Sequence, residues 1–590
     1  MVASGLGTLI VLAITGLIKL MMIIGLIGMS DSTATKVVGD SFLKLDLTKP
    51  VYERGVDKLE AMLNSDGSVG LNDMLRAINS AADDKRIKGI YIYMGSTYQL
   101  SWGMSEELRQ ALAEFRKSGK PVLVYADTYS QQGYFLASVA DSIYLNPSGM
   151  VEFRGIGAEA LFFKDMLDKL AVKMTLIRPN SNSFKSAGEM YTMDHMSEAN
   201  KTQVREYIAD IWDYAVEQIA LSRGTTSDAL NMMADSLSAC LPNDAAAHGL
   251  VDRLCFEGDI SNTLREVYHC KNITQLSDYV TSLPISINKN RIAVIYAEGD
   301  VVIGTGFGRA VYSDKITKAL NDAADDPSVK AIVLRVNSPG GMVTASEVMT
   351  DAVARAKAKK PVVVSMSDVA ASAGYEISCN ASCIVAEPTT ITGSIGVFAT
   401  IPEVGGTLKK YLGITTDTLK TNTNSTALSI LRPMSPEVLA LMQRNVEEFY
   451  TTFVSRVANG RNLDNDYVDS IARGRVWTGR KAYELGLVDT LGGIQTAIAI
   501  AAHEAGIGSN YQVMDYPLYD GLLENLLNRT NSSGTLNSAD LRQQAPNAMY
   551  MPAASGDGVW VAGRTMIDML NRICDSRDMQ ARVEFFLITD

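Results

Sequence analysis

The stretch "GYFLASVADSIYLNP" runs from Gly133 to Pro147, and "GYEISCNASCIVAEP" runs from Gly374 to Pro388. They align without a gap at an offset of 241 residues. Self-similarity at one fixed offset marks a repeated structural unit. Upstream, "SEELRQALAEFRKSGKPVLVYAD" (105–127) matches "ASEVMTDAVARAKAKKPVVVSMSD" (345–368). Each reads as an amphipathic helix, a Lys-Pro break and a buried strand. Further upstream, "KRIKGIYIYMGSTYQL" (85–100) matches "PSVKAIVLRVNSPGGM" (327–342), a basic residue, a strand and a loop. Downstream, "GLVDRL" (249–254) returns as "GLVDTLGG" (486–493). The chain is therefore two diverged copies of one layered α/β unit, its strands backed by helices.

What each copy kept differs. Ser372 in the second copy stands opposite Gln131 in the first. "NSPGG" (337–341) follows a strand of the second copy, where the first has "GSTYQL" without paired glycines. The first copy instead carries "NSFKSAGEMYTMDHMS" (182–197); the matching "TNTNSTALSILRPMS" (421–435) has no lysine in that place. This division fits a composite site, one half giving a nucleophile and the other a base. It also fits ordinary drift between copies.

A serine hydroxyl needs a base. Histidine is scarce, with only four in the chain, so a desolvated neutral lysine is the alternative. Lys185 lies among small and apolar neighbours, with no acid before Glu189. Ser372 stands where the strand "PVVVSM" gives way to a helix start, beside backbone N–H groups. Acyl transfer also needs oxyanion donors. Gly341 N–H, on the "SPGG" turn, and Ala373 N–H, after the serine, are the candidates. "TITGSIGVFA" (390–399) reads as a loop entering a strand, and such a strand pairs with extended peptides. That makes Gly393, Ile395 and Gly396 candidate substrate-binding residues. Taken singly, each of these also has a plain reading: a loop lysine, a β-turn, a core strand.

The totals exclude several classes. A chain of 590 residues, 47% hydrophobic and 20% charged, is expected to form more than one domain or one large composite unit. A net charge of −12 argues against a nucleic-acid partner. Six cysteines in this length, without a C-x-x-C spacing, form neither a disulfide framework nor a metal site. Cys379 and Cys383 are expected on one helix face. No cofactor is expected. Residues 2–29 are apolar except for Lys19, long enough to span a bilayer as an uncleaved anchor. No basic residue precedes that span, while Lys36 and Lys44 follow it, so the positive-inside rule gives no support for an N-in orientation; one hypothesis is a basic leader upstream of Met1.

The combination of "NSPGG", "AASAGYEIS", "TGSIGVF" and "FKSAGE", with "RVWTGRKAYELGLVDTLGG" (475–493), resembles the signal peptide peptidase A family in its long (67K-type), duplicated, membrane-anchored form. The family often has "SGG" where this chain has Ser372-Ala373-Gly374. The resemblance implies tandem ClpP/crotonase-like domains after an N-terminal transmembrane helix. It implies a serine endopeptidase with Ser372 as nucleophile, Lys185 as general base, Ser394 orienting the lysine, and Gly341 at the oxyanion. It further implies a homotetramer, single-pass in the bacterial cytoplasmic (inner) membrane, with its catalytic region on the outer, periplasmic side, cutting released signal peptides and other unfolded peptides. The expected division is an anchor at 1–30 and a first domain at 40–265. A linker at 266–289, a second domain at 290–510 and an extension at 511–590 come after it. The extension holds a polar, loop-like run at 528–558 with no assigned role. The competing readings are a crotonase-class acyl-CoA enzyme and a non-catalytic membrane scaffold.

Overall fold

The computed structural model describes residues 37–55, 69–284, 288–306 and 308–516, together with the backbone of 580–582. The expected anchor at 2–29 and the polar run at 528–558 lie outside these residues. Among the described residues no helix is long and apolar enough to cross a membrane.

Each copy builds its own sheet. The first has the strand order Arg253–Leu254, Ser142–Val151, Val122–Tyr129, Ile87–Gly95, Ser41–Asp46, Asn272–Gln275, all parallel. The second runs Val476–Thr478, Ile391–Gly393, Val362–Ala371, Val329–Ser338, Arg291–Glu298, Gln512–Asp515. Cys383–Ala386 pairs beside it on Val362–Ala371, and within that sheet only Ile391–Gly393 with Val476–Thr478 is antiparallel. Parallel strands buried on both faces read as apolar runs, as "AIVLRV" and "VVVSM" do.

The strand Val329–Ser338 shows how the faces divide. Ile332, Leu334 and Val336 join the core of the second copy. Ala331 and Val333 turn the other way, into a core shared with the first copy. That alternation is the period of two of a strand. The helices Trp102–Arg116 and Ile494–Glu504 both pack on the strand Val362–Ala371, so each copy lends a helix to the layer between the sheets. Arg335 also lies on that shared side, fully buried. Its Nε donates to Glu53 at 2.7 Å, and its Nη2 to Glu107; Nη1 reaches Ser365 Oγ at 2.7 Å. Both carboxylates come from the first copy, so one guanidinium pins the two copies together.

Three features depart from the sequence reading. The expected linker carries the strand Asn272–Gln275, parallel to Ser41–Asp46, and the helix Leu276–Ser282, so the first sheet runs past its expected end. Gln512–Asp515, expected in the extension, pairs with Arg291–Glu298. Cys379 lies after the short helix Ala373–Glu376, and Cys383 opens the next strand, so they share no helix face. Two further pairings join segments far apart in the chain. Lys173–Ile177 of the first copy lies antiparallel to Ala399–Glu403 of the second. Gln580–Arg582 lies antiparallel to Gly340–Met342.

Candidate active site

The strand Val362–Ala371 ends at Ser372, and the helix Ala373–Glu376 begins at the next residue. Ser372 holds φ 57° and ψ −118°, a backbone region that a non-glycine residue rarely adopts. The serine N–H donates to Gly393 O at 2.8 Å, and its carbonyl accepts from Glu376 N at 2.9 Å. These bonds hold the sharp turn, which stores strain at the position where the side chain is presented. Ser394, on the neighbouring loop, also has a positive φ of 49°. Its N–H donates to Arg475 O at 2.7 Å.

Lys185 arrives from the first copy. The antiparallel pair Lys173–Ile177 and Ala399–Glu403 carries its loop onto the second copy. Phe184 N then donates to Arg473 O at 3.2 Å, and Arg178 Nη1 donates to Lys185 O at 2.7 Å. The side chain is buried, 1% exposed. Its Nζ lies 2.7 Å from Ser372 Oγ, 3.0 Å from Ser394 Oγ and 3.0 Å from Ser394 O. The contact forms within one chain.

The partner set fits a neutral amine. Such an amine has one lone pair and two N–H groups. Accepting from the Ser372 hydroxyl and donating to Ser394 Oγ and Ser394 O uses all three. The Ser394 hydroxyl can then donate its own hydrogen bond to Gly474 O, 3.5 Å away. Burial pulls the lysine pKa well below its ordinary value, and no carboxylate opposes it. Glu189, the nearest acid in sequence, is engaged elsewhere: it accepts from Arg178 Nη1 at 3.3 Å and from Ser197 Oγ at 2.8 Å. The Ser372 hydroxyl has a second acceptor, Gly396 O, but at 3.4 Å it is the longer contact.

Gly341 sits in the short strand Gly340–Met342, which packs against the helix that follows Ser372. A β-carbon there would collide with Val301 O, so only glycine allows this approach of two backbones. Ala373 is the first residue of its helix, where N–H groups have no intrahelical acceptor. Gly393 lies inside the sheet, paired to Ala371 on one side and Val476 on the other. Its strand therefore offers no open edge to a peptide. Ile395 and Gly396 follow where the chain leaves the ladder. A cavity of about 80 Å³ opens beside Lys185 and Ser394, lined among others by Leu161, Phe162, Met190, Val204, Tyr207 and Val476. Among the described residues no cluster could hold a metal ion.

Sequence reasoning missed Arg178 and its pairing with Glu189. The signal was present: a basic and an acidic residue flank the lysine loop. Nothing in the pattern says that they face each other rather than solvent.

Comparison with known proteins bears on what this arrangement is for. The model of peptidase family S49 matches residues 114–271 and again 354–508, one match in each copy. A Clp protease model matches residues 287–384. Protease 4 of Salmonella typhi is 38% identical over 449 residues, covering 74% of this chain and 72% of that protein. Protease 4 of Haemophilus influenzae is 35% identical over 461 residues, 75% of this chain and 74% of that protein. The chloroplastic serine protease SPPA of Arabidopsis thaliana is 28% identical over 78% of this chain and 68% of that one. Neither the acyl-CoA reading nor the scaffold reading is favoured by these matches. With the family model found in both halves of a ClpP-like α/β fold, the chain belongs to peptidase family S49 and is a serine peptidase.

Proposed function

We propose that this peptidase cuts released signal peptides and other unfolded peptides with a Ser–Lys dyad built from both copies. The observation that carries the reading is the 2.7 Å contact between Lys185 Nζ and Ser372 Oγ, with the amine buried away from any carboxylate. Neutral Lys185 takes the Ser372 proton as Oγ attacks the substrate carbonyl. Gly341 N–H and Ala373 N–H receive the negative charge that develops on the carbonyl oxygen. The lysine ammonium then gives its proton to the leaving amine, and water resolves the acyl-enzyme by the same steps in reverse. Ser394 orients the lysine. Ile395 and Gly396, with Gly393 fixing the start of their loop, meet the peptide backbone. The cavity beside Lys185, with Leu161, Phe162, Met190, Val204 and Val476 in its wall, favours apolar side chains, as signal peptides supply.

The setting belongs to the same proposal. Residues 2–29 anchor the chain in the bacterial inner membrane by a single pass, with the catalytic region on the periplasmic side and four copies assembled. The apolar character of 2–29 supports the anchor. The two domains are proposed at 40–265 and 290–510, each extended by the strand found just beyond it. Hydrolysis of an unfolded apolar peptide by the full chain in detergent tests the reading. Wild type should cleave, and Ser372→Ala and Lys185→Ala should fall to background while remaining folded. Full activity in Lys185→Ala would overturn the dyad.

A further inference from the structure

We infer that Gln203 is a positioning residue for the catalytic lysine, an inference that rests on the Ser–Lys dyad. Gln203 lies on the helix Glu198–Arg223 and is only 4% exposed. Its Nε2 donates to Phe184 O at 3.0 Å and to Ser186 Oγ at 3.0 Å, the residues immediately before and after Lys185. The same nitrogen lies 3.3 Å from Asn200 Oδ1. Its Oε1 accepts from Val476 N at 3.4 Å.

That last contact reaches the other copy. Val476 pairs with Gly393, and the residue before it, Arg475, holds Ser394 through the 2.7 Å bond from Ser394 N. Lys185 is fixed at its tip by Ser394 and at its base by the loop 184–186. One amide therefore ties both ends of the lysine to a common support, across the boundary between copies. The task needs N–H donors and a carbonyl acceptor on one rigid plane, which glutamine has. A carboxylate lacks the donors, and leucine lacks both. The same helix also faces the cavity with Asn200, Val204 and Tyr207, and of the four it is Gln203 that is bonded to both neighbours of Lys185 and to the second copy.

The test uses the full chain in detergent, with an unfolded apolar peptide as substrate, across pH. Gln203→Leu should melt as a folded protein, lose about 10- to 100-fold in kcat through a misplaced lysine, and keep KM within about twofold. Gln203→Glu replaces the donors with a carboxylate beside the lysine loop. It should raise the proton affinity of Lys185 and move the acid limb of the kcat/KM profile up by about half a pH unit or more. Because a carboxylate there acts on Lys185 whatever the amide does, the discriminating variant is Gln203→Met, which keeps the length but has neither N–H donors nor a carbonyl: it should lose kcat as Gln203→Leu does, whereas an amide that served packing alone would leave it at the wild-type kcat. Folded Gln203→Leu with wild-type kcat overturns the inference. If that variant does not fold, a folded Gln203→Met with wild-type kcat overturns it. Ser372→Ala and Lys185→Ala run alongside. If either stays active, the dyad itself falls and this inference with it. If both are silent while Gln203→Leu matches wild type, only the role of Gln203 falls.

Discussion

Gly474 lies against Lys185 so closely that a β-carbon on the glycine would sit 2.5 Å from the lysine Cβ and 2.6 Å from its backbone nitrogen. Gly474 also holds a positive φ of 80°. Its carbonyl is the acceptor behind Ser394, so one glycine of the second copy seats both the lysine backbone and the hydroxyl that bonds the amine.

Gly474→Ala should therefore displace Lys185 rather than merely crowd it. The clash is with backbone, which cannot swing aside. We expect kcat to fall by about 100-fold or more, with a loss of stability of roughly 1–3 kcal/mol from strain and overpacking. Steady-state kinetics and thermal melting of the same sample check both halves.

Lys185 fixes the direction of the pH dependence. As the proposed base, Lys185 works only when neutral, so kcat/KM should rise with pH through the lowered lysine pKa. The stability linkage has a definite sign. Between that folded value and about 10.4 the unfolded chain binds the proton that the native state refuses, so stability rises with pH across this window. Lys185→Met should consequently be silent as an enzyme yet more stable than wild type at neutral pH. The difference should shrink as the pH approaches the ordinary lysine value. Denaturant titrations at several pH values would show it; a less stable Lys185→Met at neutral pH would contradict it.

Ser394→Ala removes one of the two acceptors that hold the amine, while the Ser394 carbonyl stays in place. Activity should drop by part of the roughly 10²–10⁴-fold that a positioned base supplies, leaving a measurable residue, unlike Ser372→Ala. Comparison of the two variants at matched enzyme concentration distinguishes orientation from nucleophilic attack.

Arg335→Met should be among the most destabilising single changes in the molecule. It strands the Glu53 and Glu107 carboxylates in a buried setting, a situation that costs about 3–5 kcal/mol. Adding Glu53→Gln and Glu107→Gln to Arg335→Met should recover most of the loss. Chemical unfolding of the single and triple variants measures that recovery.

Much of the architecture is legible in the residues alone. The offset of 241 residues announces two units, and apolar runs such as "VVVSM" announce parallel, doubly covered strands. The small residues around Ser372 are readable as a strand-to-helix turn because such a turn excludes bulk. Other parts leave no trace in local pattern. Asn272–Gln275 is four residues long, too short for a period of two to register, and it becomes a strand only because Ser41–Asp46 offers an open edge. Glu53 and Glu107 lie 282 and 228 positions from Arg335. A charged residue without a visible partner reads as surface, and only folding shows that these meet. Gln203 is hidden in the same way, as a polar residue in a polar stretch of helix.

The division of the dyad also bears on how the protein is made. A ribosome that has passed Lys185 has produced a base with nothing to deprotonate. One that has passed Ser372 still lacks Gly474 and the strand Val476–Thr478 that steady the lysine and Ser394. Under the proposed dyad, cleavage chemistry waits until more than three-quarters of the chain has been synthesised and the late segment has docked on the early one.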